Sequence, residues 1–309
     1  MRNASLMFLC CILFIIILPE IIRKSNDILP QHKQNDEQHL LNILDVENNT
    51  VIRLPLEDYA WRVAAKEMPT TFQDEALKAQ IVLARTFALK RKSSASHDTG
   101  IDVCTDHTHC TAFLLPDTEK SVFGNNYKKI CNRLSTLTKD THNQILTYDH
   151  QPILAVFHAI SSGTTEKSSD IWSSQLPYLV NVDSSIDEKA DGFYSEKSFT
   201  EEELKHIFNI NYTPEFKDIV LTTAGSVKTI KISDKTYTGT QIRNLLNLRS
   251  NNFRVQKKND IYFFYVKGYG HGVGMSQTGA NELAKKGLNF KDILHKYYPG
   301  TSINLLNNT

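Results

Sequence analysis

The chain carries almost no excess of either charge: Lys and Arg number 35 and Asp and Glu 34 among 309 residues. A nucleic-acid surface leaves a basic footprint, and this composition gives none to stand on. Long apolar runs are equally scarce. Leu6 to Leu18 is thirteen residues without a charge, short beside the roughly 20 that span a bilayer. No small-x-small cleavage site follows that run, and Phe8 and Leu9 before Cys10 are too large for a lipobox. Residues 1–24 therefore read as one transmembrane signal-anchor, with the remainder exported. Arg2 on one side and Arg23-Lys24 on the other leave its orientation open. His-Glu-x-x-His is absent, and nothing resembles a nucleophile elbow. These absences turn attention away from a zinc peptidase and a serine hydrolase.

Length and a charged content of 22% fit one large globular domain or two intimate ones. Residues 25–47 are mostly polar and aperiodic, as a linker would be, and Asn48 to Leu54 reads as an entry strand. The segment Leu56 to Lys92 then predicts two helices broken at Met68-Pro69, because the residue before a proline disfavours helix. Thr71 stands three residues before Asp74, a weak relative of the capping box. Leu77, Ile81, Ala84 and Ala88 make one stripe of the second helix, and Val82 and Phe87 spread the apolar surface further. Such a helix is normally buried.

Two polar residues interrupt this surface. Glu67 is flanked by Val63, Ala64, Ala65, Met68 and Pro69, and an apolar setting raises a carboxyl pKa. Arg85 lies beside the stripe of the second helix. Either it stands clear of Glu67 and binds substrate, or the two are an ion pair; the residues alone favour the pair.

Cys104 and Cys110 enclose His107 and His109. Thiolate and imidazole at this spacing suit a metal, but a small Cys104–Cys110 disulfide is an equal alternative outside the cell. The leftover Cys131 weighs mildly against the disulfide.

Gln144–Tyr148 and Ile153–Ala159 read as a hairpin, followed by a polar loop with Ser161, Ser162, Gly163, Thr164, Thr165 and Glu166. Trp172 and Tyr178 are candidate sugar platforms, though aromatic residues are more often core. Residues 198–258 carry a capped helix and a two-stranded unit, which read as a subdomain or insert. The strand from Ile261 runs into Gly268, Gly270, Gly272 and Gly274, whose spacing lets backbone approach backbone or ligand and matches no nucleotide-binding loop.

Three blocks together resemble the stage II sporulation protein D family. They are Ala65-Lys66-Glu67-Met68-Pro69 with Ala84-Arg85-Thr86, the Ser161–Glu166 loop, and Gly270-His271-Gly272-Val273-Gly274-Met275-Ser276-Gln277. The likeness runs from about residue 48 to 305. It implies an α+β ectodomain with a helical catalytic core packed with antiparallel β-hairpins, behind the N-terminal anchor, over residues 48–305. Glu67 becomes the catalytic acid and base of a lytic transglycosylase. Arg85, Ser161, Ser162, Thr165, His271, Ser276 and Gln277 become glycan-binding residues. Structural zinc is implied on Cys104, His109 and Cys110, with His97 or His107 as the fourth ligand. Thr111-Ala112-Phe113 and Thr278 depart from the family's Gln-Ala-Tyr and Tyr. The implied substrate is peptidoglycan, and the implied partners are an amidase and other engulfment proteins. The implied location is the cell membrane facing the wall, between mother cell and forespore. A silent amidase activator or glycan-binding protein is the rival that the same resemblance carries.

Overall fold

A computed structural model describes residues 39–94, 100–172 and 174–306. The anchor expected at residues 1–24 lies outside them, and among the described residues no helix is long and apolar enough to cross a membrane.

The chain enters as strand β1 (Leu40–Asp45), which pairs antiparallel with β2 (Thr50–Pro55) and parallel with β3 (Val103–Cys104). β1 occupies residues expected to be linker. Its alternation is real, since Leu41 and Ile43 are buried, but polar flanks on both sides hide it in the sequence. Helix α1 (Leu56–Glu67) follows Pro55 and stops where Met68 turns extended ahead of Pro69. Helix α2 (Asp74–Ser93) has Asp74 and Glu75 in its first turn and Lys90, Arg91 and Lys92 in its last, matching the helix dipole. Its cap is not the one expected from Thr71. Gln73 precedes the helix with no side-chain cap, and its N–H donates to Asn281 Oδ1 at 2.9 Å.

Buried on all sides, α2 is the axis of the main core. Leu77, Ile81, Ala84 and Ala88 expose nothing, nor do Val82 and Leu83. Burying each Leu or Ile contributes roughly 1.5–3 kcal/mol. Helix α3 (Tyr127–Asp140) and strand β4 (Gln144–Tyr148) pack on α2, and β4 lies between β5 (Gln151–Pro152) and β14 (Ser302–Leu305). The expected hairpin therefore ends early. Beyond Pro152 the chain leaves β4, and only Phe157–His158 returns to a strand, β6, which pairs parallel with β13 (Met275–Ser276). Late helices α6 (Gln277–Lys285) and α7 (Phe290–Tyr297) close the far side of α2.

A second, smaller core lies between two three-stranded sheets. One holds β7 (Tyr194–Thr200), β11 (Asn252–Lys258) and β12 (Ile261–Lys267); the other holds β8 (Phe216–Leu221), β9 (Val227–Ile232) and β10 (Lys235–Thr238). Leu204, Ile230, Ile242 and Phe264 are its fully buried members, running to Val266. Helices α4 (Glu201–Phe208) and α5 (Gly239–Leu245) both start with complete capping boxes, Thr200 with Glu203 and Thr238 with Gln241.

The glycine-rich turn joins the two cores by lying against the segment 156–162. At Gly274 φ is +74°, and an added Cβ would meet Val156 O at 2.0 Å; at Gly270 it would meet His158 Cβ at 2.7 Å. The glycines serve approach of backbone to protein. Gly274→Ala should therefore cost at least about 1–3 kcal/mol from backbone strain alone. Gly287→Ala, with φ at +92° but open space around it, should cost less by urea denaturation. Equal losses would contradict the close-approach explanation.

Candidate active site

Glu67 ends α1 half-buried, beside the loop that follows Cys110. The Ala112 N–H donates to Glu67 Oε1 at 2.5 Å. Burial raises the Glu67 pKa above the ordinary carboxyl range, while the Ala112 N–H and the charge of His107 partly oppose the rise. Its Oε2 has no hydrogen bond among the described residues. Behind the carboxyl, the buried Tyr59 hydroxyl meets Thr111 Oγ1 at 3.0 Å, and its ring stacks on Phe113 at 5.5 Å. Residues Thr111 to Phe113, where the family pattern is broken, thus form the wall that holds Glu67.

Arg85 is not the partner of Glu67. Its Nε and Nη2 donate to the two carboxylate oxygens of Glu57 at 2.9 and 2.6 Å, and its Nη1 donates to Gln144 O at 2.8 Å. Glu57 Oε1 also accepts from Asn143 N–H at 3.1 Å. Arg85 is wholly buried. The expected pair of Arg85 with Glu67 is not formed; Arg85 is paired with Glu57 instead, and Glu67 is left without a cation clamped to it.

The other expected ligand contacts divide sharply. Ser161 and Ser276 are brought together, but on a buried carboxylate: Asp187 Oδ2 accepts from Ser161 N–H at 3.1 Å and from Ser184 Oγ at 2.9 Å, and the Ser276 hydroxyl also bonds Asp187. Burial pushes Asp187 up to about 6 against these donors. Ser276 Oγ also caps α6 through Gly279 N–H at 3.1 Å. Thr165 is closed from solvent, donating to Val180 O and accepting from Val182 N–H. Gln277 is buried and donates to Gln80 Oε1 on α2 at 3.3 Å. These four residues hold segments in place instead of facing a ligand. Ser162 and His271 are partly exposed. Tyr178 is core, its hydroxyl accepting from Leu154 N–H at 3.0 Å, whereas Trp172 is partly exposed with its ring 5.2 Å from that of His271.

Asp187 and Glu57 are the functional-site supports that sequence reading missed. Neither sits in an apolar run, so neither carried a burial signal.

The cysteine loop lies on the same wall as Glu67. The ligand atoms of Cys104, His109 and Cys110 all fall within 4.8 Å of one another. Cys104 is in no disulfide, so the Cys104–Cys110 alternative is not formed. Cys104 N–H points to Cys110 Sγ at 3.4 Å, and Cys104 Sγ lies 3.4 Å from His109 Nδ1. Arg91 Nη2 rests 2.7 Å from His109 Nε2. Burial, with Cys110 adding to it, pushes the Cys104 thiol up to about 11. Without a cation the Cys104 thiol stays protonated, and a soft metal is the partner that would draw its proton off. His107 is exposed, and His97 lies outside the described residues.

A groove of about 980 Å³ lies on the second unit, lined by Tyr194, Glu196, Ile219, Leu221, Arg254 and Tyr265 among others. None of the residues around Glu67 lines it.

The arrangement defines a mixed α+β protein built around one desolvated, unclamped carboxyl beside a thiol–imidazole loop. Comparison with known proteins gives the family. The stage II sporulation protein model matches residues 45–148. Stage II sporulation protein D of Bacillus subtilis (strain 168) is 36% identical over 261 residues, covering 83% of this chain and 76% of that protein. Its counterpart in Bacillus amyloliquefaciens is 34% identical over the same shares. The amidase enhancer of Bacillus subtilis (strain 168) is 27% identical, covering 78% of this chain and 39% of that protein. The chain belongs to the stage II sporulation protein D family.

Removing one side of the buried pair leaves the other charge stranded. Arg85→Ala should cost on the order of 3–5 kcal/mol, read as a collapsed melting temperature. A variant that melts like wild type and only loses activity would contradict the structural role.

Proposed function

We propose that the protein is a peptidoglycan lytic transglycosylase acting in sporulation, with Glu67 as its single acid and base. The observation that carries this reading is the Glu67 carboxyl itself: desolvated, steadied on one oxygen by Ala112 N–H, and not neutralised by Arg85. Protonated Glu67 gives its proton to the glycosidic oxygen between N-acetylmuramic acid and N-acetylglucosamine, and the bond from C1 to that oxygen breaks. The resulting carboxylate takes the proton of the muramyl 6-hydroxyl, whose oxygen bonds to C1 and closes a 1,6-anhydro ring. Ordinary glycosidases need a second carboxyl because water or enzyme attacks. Here the substrate brings its own nucleophile.

Zinc fits the Cys104–His109–Cys110 loop by donor type and spacing. When bound it would act structurally, fixing the loop that presents Ala112 N–H to Glu67. The work of the reaction stays with the carboxyl. Membrane anchoring through residues 1–24 and action beside an amidase and the engulfment machinery complete the proposal. A second reading, a silent amidase activator, draws on the likeness to the amidase enhancer; a pure activator has no use for a desolvated carboxyl.

Purified protein should carry about one zinc per chain, and Cys110→Ser should lose it together with thermal stability. Elemental analysis without metal would remove zinc from this account.

Glu67→Gln can neither give nor take the proton, so release of anhydro-sugar should fall roughly 10²–10⁴-fold. The pKa is raised in the folded state, so the contribution of Glu67 to stability is complete below its unfolded pKa. It is lost as pH rises through the folded value. Activity that needs the protonated form fades over the same rise. At neutral pH the glutamine variant should therefore melt no lower than wild type. Near-wild-type activity in that variant would sink the mechanism.

A further inference from the structure

Two guanidinium groups at the seam between the cores have no ion-pair partner among the described residues. Arg243, on α5, is half-buried, and its guanidinium makes no hydrogen bond or ion pair among the described residues; burial alone pulls its pKa down. Arg249 stacks on the Tyr269 ring, Cζ 4.3 Å from the centroid, with its Nε buried and unpartnered. It is wedged against Gly192, where an added Cβ would lie 2.7 Å from Nη1. Tyr269 is 46% exposed, so this spot reaches solvent. Leu248 N–H donates to Arg243 O at 2.8 Å and Gly270 N–H to Arg249 O at 2.9 Å, so the end of α5 that carries Arg243 folds back on the turn that carries Arg249 and meets the segment of Tyr269.

The histidines alongside add no positive charge. The rings of His158 and His271 lie 5.9 Å apart. Burial, and then Arg243 itself, holds His158 down to about 4. Burial, then His158 and Arg243, holds His271 down to about 3. His271 Nδ1 accepts from Val273 N–H at 3.0 Å, and His158 Nδ1 meets Val273 O at 3.1 Å. His158 Nε2 is then a buried acceptor with no donor. Elsewhere in the main core, Arg62 and Arg85 are given carboxylates, Glu119 and Glu57. Arg243 and Arg249 are given none. A desolvated guanidinium without an anion is costly unless an anion arrives, and a planar fork pairs best with a carboxylate.

We propose that Arg243 and Arg249, flanking Tyr269, bind a carboxylate of the cell-wall substrate. This rests on the transglycosylase reading for the substrate class. Two sources share that chemistry: the lactyl carboxyl of a muramyl sugar freed of its peptide, and the carboxyls of an attached stem peptide. The glucosamine half of the strand has neither, so the site would set the register of the glycan relative to Glu67.

The test is equilibrium binding to the full chain, read by NMR with three probes that contain no bond for Glu67 to cut. N-acetylmuramic acid offers the lactyl carboxyl, muramyl dipeptide offers only peptide carboxyl, and N-acetylglucosamine offers none. Wild type should bind at least one carboxylate probe on the order of tenfold tighter than N-acetylglucosamine. Arg243→Gln and Arg249→Gln should each abolish that preference. Whichever carboxylate probe shows it identifies the source. Raising salt about tenfold should weaken the preference in wild type, a readout that needs no variant. Equal binding of all three probes, no binding of either carboxylate probe, or a preference indifferent to salt and to both substitutions would overturn the proposal. None of these outcomes bears on cleavage, which Glu67→Gln tests separately.

Discussion

The buried bidentate pair between Arg85 and Glu57 is the interaction on which the arrangement of the site depends. It ties the start of α1 to the middle of α2, and through Gln144 O and Asn143 N–H it ties both to β4. A buried pair of this kind adds little net stability over an apolar substitute, because desolvation offsets the attraction. Its effect is on geometry. With Arg85 saturated by Glu57, the Glu67 carboxyl at the other end of α1 is left among apolar neighbours and takes on the raised pKa that acid chemistry requires.

A second constraint runs through the cysteine loop. Cys104 is the end of β3, paired to β1, and Cys110 leads within two residues to the N–H that holds Glu67. The ligand atoms of Cys104, His109 and Cys110 lie close enough to hold a metal, so an ion bound there would couple the position of the carboxyl to metal content. Asp187 plays the corresponding part on the other side, joining Ser161, Ser184 and Ser276 so that the polar loop is tied to the start of α6. Tyr297 adds to it through Ser184 at 2.8 Å.

Much of this was legible in the sequence, where the signal was a local rule. Met68-Pro69 marked the end of α1, the apolar stripe of α2 marked it as buried, and the capped helix expected after Ser198 is α4, with Thr200 and Glu203 as its box. The glycine turn was read as a place of close approach, and it is one, against protein backbone. What failed to show were partnerships set by tertiary contact. Nothing local says that Arg85 meets Glu57, 28 residues away, or that Ser161 and Ser276 share Asp187. Short motifs name the residues that matter and stay silent on which of them are buried. For this reason Arg85, Thr165, Ser276 and Gln277 read as ligand contacts, and the structure buries all four. β1 was missed for a related reason, its two buried apolar side chains, Leu41 and Ile43, being too few to stand out from a polar tract.

The central claim is that one carboxyl moves one proton twice while the sugar closes on itself. Digesting purified glycan strands in water enriched in heavy oxygen and weighing the products tests it most directly. The account predicts new ends lighter by one water than hydrolysis would leave, with no solvent oxygen incorporated. Ordinary reducing ends carrying the heavy oxygen would contradict it.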